Sequence, residues 1–209
     1  MPLVYQQDIN DECRLGVWEI SEAEDFFLQK VAPIRQISHP HKRIQHLAGR
    51  YLLLELFPDF PIDLVMLADT RRPFLPGGPF HFSVSHGGDF AAALVSRKFR
   101  AGVDVELIGP RIQSLQHKFL SNHESLLLDQ WPCSRMQALT MAWSMKESMF
   151  KWNAGSGIDF RQHLQLKELH HVNGYYKADA VLKKDAPRYL PLHGLLFPGF
   201  ALTWVLANG

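Results

Sequence analysis

Cysteine is scarce in this 209-residue chain: only Cys13 and Cys133 are present, at no metal-ligand spacing. That argues against a disulfide framework or a thiolate metal site and fits a reducing cytoplasm. Net charge is also scarce, since 22 Lys and Arg stand against 21 Asp and Glu, giving +1. Nucleic-acid binders usually carry a stronger basic footprint, so no nucleic-acid partner is expected and anion recognition must come from local clusters. Long apolar runs are missing too. The most apolar stretch, Leu192 to Ala207, is interrupted by Gly194, Pro198 and Gly199 and falls short of a spanning helix. The opening MPLVYQQDINDEC lacks the basic head and apolar core of a signal peptide. No membrane association is expected, and the location is read as cytoplasmic. A G-x-x-x-x-G-K-[ST] loop is absent as well, which leaves a P-loop nucleotide hydrolase without support. What remains is 46% hydrophobic and 21% charged, the make-up of a globular protein of one large or two small domains.

The chain reads as helices and strands in two successive blocks. Leu3 to Ile9 is strand-like. Ser21 with Glu24 matches a capping box, predicting a helix from about Glu22 to Val31. In HPHKRIQHLAGRYLLLELF, the residues Ile44, Leu47, Tyr51 and Leu54 recur at helical spacing, with Pro40 suited to the start and Pro58 to the end. Leu64 to Leu67 is a short apolar run. HFSVSH and DFAAALVS flank Gly87-Gly88 as two strands with a tight connection, and AGVDVELIG is a further, alternating strand. Helices are expected at Gln113–Leu120, Asn122–Leu128 and Met136–Asn153, then strands at Leu164–His170, Tyr175–Leu182 and Leu192–Leu206, the last broken at Pro198-Gly199. This is an α+β pattern in two halves, 1–100 and 101–209.

Four groups of residues carry possible chemistry. Asp104 and Glu106 are two apart in GVDVE, so a strand puts them on one face and Val103 and Val105 on the other. Paired carboxylates suit a magnesium ion bound with a substrate phosphate, and they equally suit a solvated strand end. In WSMKESMFKW, Glu147 and Lys151 share a helix face with Ser144, while Leu139, Trp143 and Phe150 can bury the other; a plain surface Glu-Lys pair would look the same. Ser85 and His86 precede two glycines, where backbone N–H groups and side-chain donors can meet an anion; an ordinary hairpin also fits. Lys42, Arg43 and Arg50 on the second helix, and Arg71 with Arg72 before Pro73, offer phosphate donors or ordinary surface charge.

Taken in order, these segments resemble the 4'-phosphopantetheinyl transferases of the type that activates surfactin synthetase. The family's G-[IV]-D-x-E strand appears as Gly102-Val103-Asp104-Val105-Glu106, and its W-[SAC]-x-K-E-[SA]-x-x-K helix as Trp143-Ser144-Met145-Lys146-Glu147-Ser148 with Lys151. Asp104 and Glu147 are 147 − 104 = 43 residues apart. RRPFL resembles the family's G-K-P segment, FSVSHGGD its F-N-[IV]-S-H segment, and HLAGRYLL its Arg-containing helix. The likeness runs from Lys42 to Trp152. It departs at Arg71-Arg72-Pro73, at Ser83 in place of asparagine, and at Gly155-Ser156-Gly157, where relatives carry a basic Gly-Lys-Gly turn.

The resemblance implies a pseudo-dimer of two α+β halves, self-sufficient as a monomer, with coenzyme A in the cleft between them. It implies transfer of 4'-phosphopantetheine to a serine of an apo acyl or peptidyl carrier protein, with release of adenosine 3',5'-bisphosphate. Carried over by position, Asp104, Glu106 and Glu147 bind magnesium with the pyrophosphate, and Lys151 contacts the pyrophosphate. Ser85 and His86, helped by Arg43, Arg50 and Arg72, hold the nucleotide phosphates. Glu147, with Lys151 and Asp104, carries the catalysis, although Glu106 is an equal candidate for the base. Ile112, Leu115 and Phe119 would be the apolar face that meets the carrier protein. A non-catalytic coenzyme A or carrier-binding protein on the same scaffold is the alternative, weakened by the intact carboxylates and Lys151.

Overall fold

Residues 3–19 double back near Asp11 as an antiparallel pair, β1 (Leu3–Asn10) and β2 (Cys13–Glu19). The computed structural model describes residues 2–70 and 72–209. It divides into two units, Met1–Ala101 and Gly102–Ala207. In the first unit, a short helix α1 (Glu24–Leu28) is followed by α2 (Pro40–Leu56). The helix at 22–31 therefore shrinks, and its capping box does not form. Ala23 is the N-cap with no side-chain bond, and the Glu24 carboxylate turns instead to Arg43. α2 begins with Pro at its first turn, where the missing N–H has no helical partner anyway. The run at 64–67 resolves into a 3-10 turn, Ile62–Leu64, and a two-residue strand β3 (Met66–Leu67) paired with β4 (Pro73–Phe74).

β5 (His81–Gly87) and β6 (Phe90–Ser96) form the expected hairpin, with Gly88 at φ +55° in the turn where a side chain would be strained. The sheet runs β1-β2-β6-β5, antiparallel throughout. Its inner strand β6 is Ala-rich and buried, so α2 can lie close on it through Leu47, Ala48, Leu52 and Leu56.

The second unit starts inside β7 (Arg100–Leu107). Three helices follow: α3 (Arg111–Phe119), α4 (Asn122–Leu128) and α5 (Arg135–Asn153). True capping boxes occur at Ser121 with Glu124 and at Ser134 with Gln137. They satisfy N–H groups that the first helical turn leaves without partners. β8 (Leu164–Val172), β9 (Tyr175–Leu182), β10 (Arg188–Phe197) and β11 (Phe200–Ala207) are an antiparallel meander, and β7 adds beside β11 in the order β7-β11-β10-β9-β8. α5 lies across β10 and β11 and buries Leu139, Met141, Met145 and Met149 in the core. Among the described residues, no helix is long and apolar enough to cross a membrane.

Three small residues let α5 sit close to the sheet. Ser144 and Ser148, one turn apart, both hydrogen-bond Thr203 Oγ1, at 2.9 and 2.8 Å, and Ser148 Oγ also donates to the Thr203 carbonyl at 3.0 Å. On β7, a Cβ added to Gly102 would stand 2.1 Å from the Ser148 carbonyl oxygen and 2.9 Å from Trp152 N. These are backbone atoms, which cannot step aside as a flexible side chain would. Gly102→Ala should therefore destabilise the protein by about 3 kcal/mol or more. Urea unfolding read by tryptophan fluorescence checks this, and an unchanged midpoint would show that β7 and α5 can separate at little cost.

Candidate active site

The close approach of β7 to α5 gathers four charged side chains. Asp104 is 4% exposed, and its Oδ1 accepts from Lys151 Nζ at 2.7 Å. Glu106 and Glu147 are half-buried nearby. Val103 and Val105 are buried as expected, but the strand is buried on both faces, so Asp104 is no solvated strand end. Burial pushes Glu147 up from 4.5 to about 7; Asp104 adds to the rise, Lys151 opposes it, and Glu106 adds a little more. Glu106 is raised by burial and by Asp104, while the Trp143 indole, Lys151 and Arg111 favour its charged form. Three carboxylates thus share a poorly solvated corner with one ammonium.

That donor set fits a hard divalent cation. It offers carboxylate oxygens without thiolate or imidazole, the preference of magnesium rather than zinc or copper. The mutual repulsion of Asp104, Glu106 and Glu147 is the cost such a cation would relieve. The structure brings together Asp104, Glu106, Glu147 and Lys151 as read from the sequence. Ser144 shares the helix but is fully buried on Thr203. Lys146, to which the motif reading gave no role, is also fully buried and pairs with Glu124.

Phosphate-binding candidates in the first unit separate into three places. Arg50 and His86 line one pocket, together with Arg35, Gln45 and His46, which sequence reasoning missed. Arg50 is 8% exposed; its Nη2 donates to the Ile62 carbonyl at 3.2 Å, while its Nε is buried with no partner among the described residues. His46 is held neutral, lowered to about 4 mainly by burial and then by Arg50, Arg35 and His86. Its Nε2 accepts from Ile34 N at 3.3 Å, which leaves the proton on Nδ1. A buried guanidinium beside imidazoles makes a setting for an anion. Only the i, i+4 relation of His46 to Arg50 could have pointed to it.

Arg43 lies elsewhere, in a two-pronged pair with Glu24 at 2.6 and 2.7 Å, and donates to the Ile37 carbonyl at 3.2 Å. The pair lowers Glu24 and raises Arg43. Arg72 is also apart, half-buried within reach of Arg100 and His81; burial lowers Arg72 and His81, and their shared positive charge adds to it. Ser85 and His86 do not face the same way. Adjacent residues of a strand point to opposite faces, and Ser85 is buried on the side of β5 away from the pocket that His86 lines. Arg71 lies outside the described residues.

The expected carrier-binding face of α3 is corrected by the structure. Ile112 and Phe119 are buried in the core of the second unit, and Leu115 packs against the same core. The apolar stripe of the helix is what holds it to the domain. The outward face of α3 is polar, with Arg111, Gln113, Ser114, His117 and Lys118 exposed.

Comparison with known proteins bears on the same segments. A model of the 4'-phosphopantetheinyl transferase superfamily matches residues 100–204, about half of the chain. The chain is 32% identical over 128 residues to the 4'-phosphopantetheinyl transferase AcpT of Salmonella typhimurium, covering 60% of this chain and 66% of that protein, just under two thirds. It is 29% identical over 137 residues to AcpT of Escherichia coli K12, covering 62% and 70%. It is 33% identical over 113 residues to enterobactin synthase component D of Salmonella typhi, covering 53% and 47%.

The shift of Glu147 is measurable without any ligand. Its folded pKa lies above its ordinary value, so between pH 4.5 and about 7 the folded state holds more protons than the unfolded one. Stability contributed by this group is fully present at the acid end and is lost as pH rises toward 7. Glu147→Gln removes that loss. The variant should gain up to about 3 kcal/mol over wild type at pH 8 relative to their difference at pH 5. Parallel denaturation curves at the two pH values check this, and a difference independent of pH would refute it.

Proposed function

The chain belongs to the 4'-phosphopantetheinyl transferase superfamily, and we propose that it transfers the 4'-phosphopantetheine group of coenzyme A to a serine of an apo acyl or peptidyl carrier protein. Adenosine 3',5'-bisphosphate leaves. The observation that carries this reading is the gathering of Asp104, Glu106, Glu147 and Lys151 in one half-buried corner, on two motifs that both lie within the matched region. The surfactin-synthetase-activating type is the subtype assigned, and a pseudo-dimeric arrangement of like halves is part of the same reading. The relatives named 4'-phosphopantetheinyl transferase AcpT support the transfer chemistry.

Asp104, Glu106 and Glu147 would hold magnesium, which when bound supplies neutralisation of the charge building on the leaving bisphosphate. Lys151 donates to Asp104 at 2.7 Å, a contact that supports giving its ammonium the task of stabilising developing charge. Glu147 accepts the proton of the carrier serine, directly or through a water. The serine oxygen bonds to the phosphorus that bears pantetheine, and the bond from that phosphorus to the bisphosphate oxygen breaks. No covalent enzyme intermediate is needed. Arg50 and His86 are assigned to the nucleotide phosphates, with Arg72 and Ser85 as weaker candidates. Arg43 would have to leave Glu24 to contribute. Docking of the carrier against α3 would use its polar face.

Incubation with coenzyme A, magnesium and several apo carrier proteins should add one phosphopantetheine to a carrier by mass spectrometry. Glu147→Gln should abolish the increment while coenzyme A still binds. Binding without any increment on every carrier would favour the non-catalytic alternative. His86 is exposed, so His86→Ala leaves the core intact. It should raise the KM for coenzyme A roughly tenfold with little change in kcat, the loss of one hydrogen bond to a charged group. An unchanged KM would remove His86 from the phosphate site.

A further inference from the structure

The motif that supplies Glu147 also supplies Lys146, and the transfer chemistry gives that lysine nothing to do. Its side chain is 0% exposed. The ammonium donates to the carbonyls of Phe119 at 2.6 Å and Phe160 at 3.0 Å, and pairs with Glu124 Oε1 at 2.7 Å. Three donors meet three acceptors, so the group is fully satisfied. Glu124 is 2% exposed and equally engaged. Its Oε1 accepts from Leu166 N at 2.9 Å, and its Oε2 accepts from Ser121 N and Ser121 Oγ at 2.8 and 2.9 Å. One ion pair therefore ties α5 to the end of α3, the start of α4 and β8.

Stability is a weak reason for such a pair, because apolar residues of similar volume often serve as well or better. Its distinctive effect is on placement. Phe119 and Phe160, the two residues whose carbonyls Lys146 grips, also hold the Trp143 ring. Phe160 stacks on it at 5.1 Å and 25°, and Phe119 meets it edge-on at 5.2 Å. Trp143 in turn presents its indole to the Glu106 carboxyl. The backbone turn from Trp143 to Glu147 thus has fixed rings on one side and a fixed ammonium beneath it.

We propose that Lys146, with Glu124, is a positioning residue that holds Trp143 and Glu147 so that the three carboxylates stay gathered in one corner as donors to a cation. Its effect on turnover rests on the transferase reading above; its effect on cation binding does not. The test compares wild type, Lys146→Met/Glu124→Leu and Trp143→Phe by thermal unfolding, by Mn2+ calorimetry without substrate, and by transfer kinetics. The double variant replaces an ion pair with apolar bulk but also strips partners from Leu166 N, Ser121 N and the Phe119 and Phe160 carbonyls, so it should unfold at a lower temperature than wild type. Below that temperature, where it is folded, it should bind Mn2+ roughly tenfold more weakly and lose roughly 10- to 100-fold in kcat, with the KM for coenzyme A within about threefold, the pattern of a small misplacement. Trp143→Phe keeps the core filled and removes only the last link, so it decides the matter if the double variant does not fold; it too should weaken Mn2+ binding. Wild-type Mn2+ affinity in the folded variants overturns the proposal and leaves the pair a structural one. A wild-type protein that binds Mn2+ but modifies no carrier overturns the transferase reading alone, and one that modifies a carrier but binds no Mn2+ overturns the positioning proposal alone.

Discussion

Repulsion among Asp104, Glu106 and Glu147 is the constraint around which the second unit is arranged. Two of these carboxylates are half-buried and one is almost fully so; the Lys151 ammonium pairs with Asp104, and the Trp143 indole and Arg111 favour the charged form of Glu106. A folded chain can keep such a corner only if the surroundings hold the groups in place against their own electrostatics. Gly102 supplies the close backbone approach. Ser144 and Ser148 fasten the other side of α5 to Thr203. Lys146 and Glu124 anchor its far side. Each residue of the W-S-x-K-E-S-x-x-K segment therefore has its own physical task, set by the helical angle at which it leaves the axis. The glutamate faces the site, the serines face the sheet, the tryptophan backs the neighbouring carboxylate, and the first lysine faces the interior.

This division of labour explains what a linear reading could and could not reach. Long elements with strong periodicity were legible: α2, α5 and the β8–β11 meander fall close to where their patterns put them. So was the β5–β6 hairpin, because Gly88 marks the turn. The capping box at Ser21 failed because a carboxylate has more than one possible partner, and Arg43 offers Glu24 a two-pronged charged bond that the Ser21 N–H cannot match. The strand Cys13–Glu19 went unread because it is buried on both sides and shows little alternation. The same reason hid the true environment of Asp104.

Side-chain direction was the second blind spot. The stripe Ile112, Leu115 and Phe119 is apolar whether it meets a partner or its own core, and spacing cannot tell the two apart. Ser85 and His86 are neighbours in sequence yet point to opposite faces of β5. Arg43 and Arg50 share a helix face two turns apart, but one is already paired and the other is buried beside His46 and His86. In each case the residue type was suggestive and the partner decided its role. Spacing put Asp104 and Glu106 on one face of a strand but did not connect them to Glu147; only the family resemblance linked that strand to the helix. The supports of this site could not be read, since Glu124, Phe160, Leu166 and Thr203 come from four separate places in the chain.

The elevated pKa of Glu147 can be read in two ways, and physical argument separates them. A carboxylate near 7 would suit a general base working at neutral pH. The same elevation is what two like charges in a poorly solvated corner produce with no catalytic purpose. A cation among the three carboxylates would favour the ionised form of Glu147 and bring its pKa down, making it a weaker direct base. The elevation therefore speaks more strongly for a site built to receive positive charge than for a tuned proton acceptor. On that view Glu147 would do its proton work through an intervening water and would depend on its placement beside Asp104 and Glu106 more than on its acidity. Lys146, the residue beside it in sequence, is buried and tied to two main-chain carbonyls and a carboxylate, which suits the positioning role proposed for it.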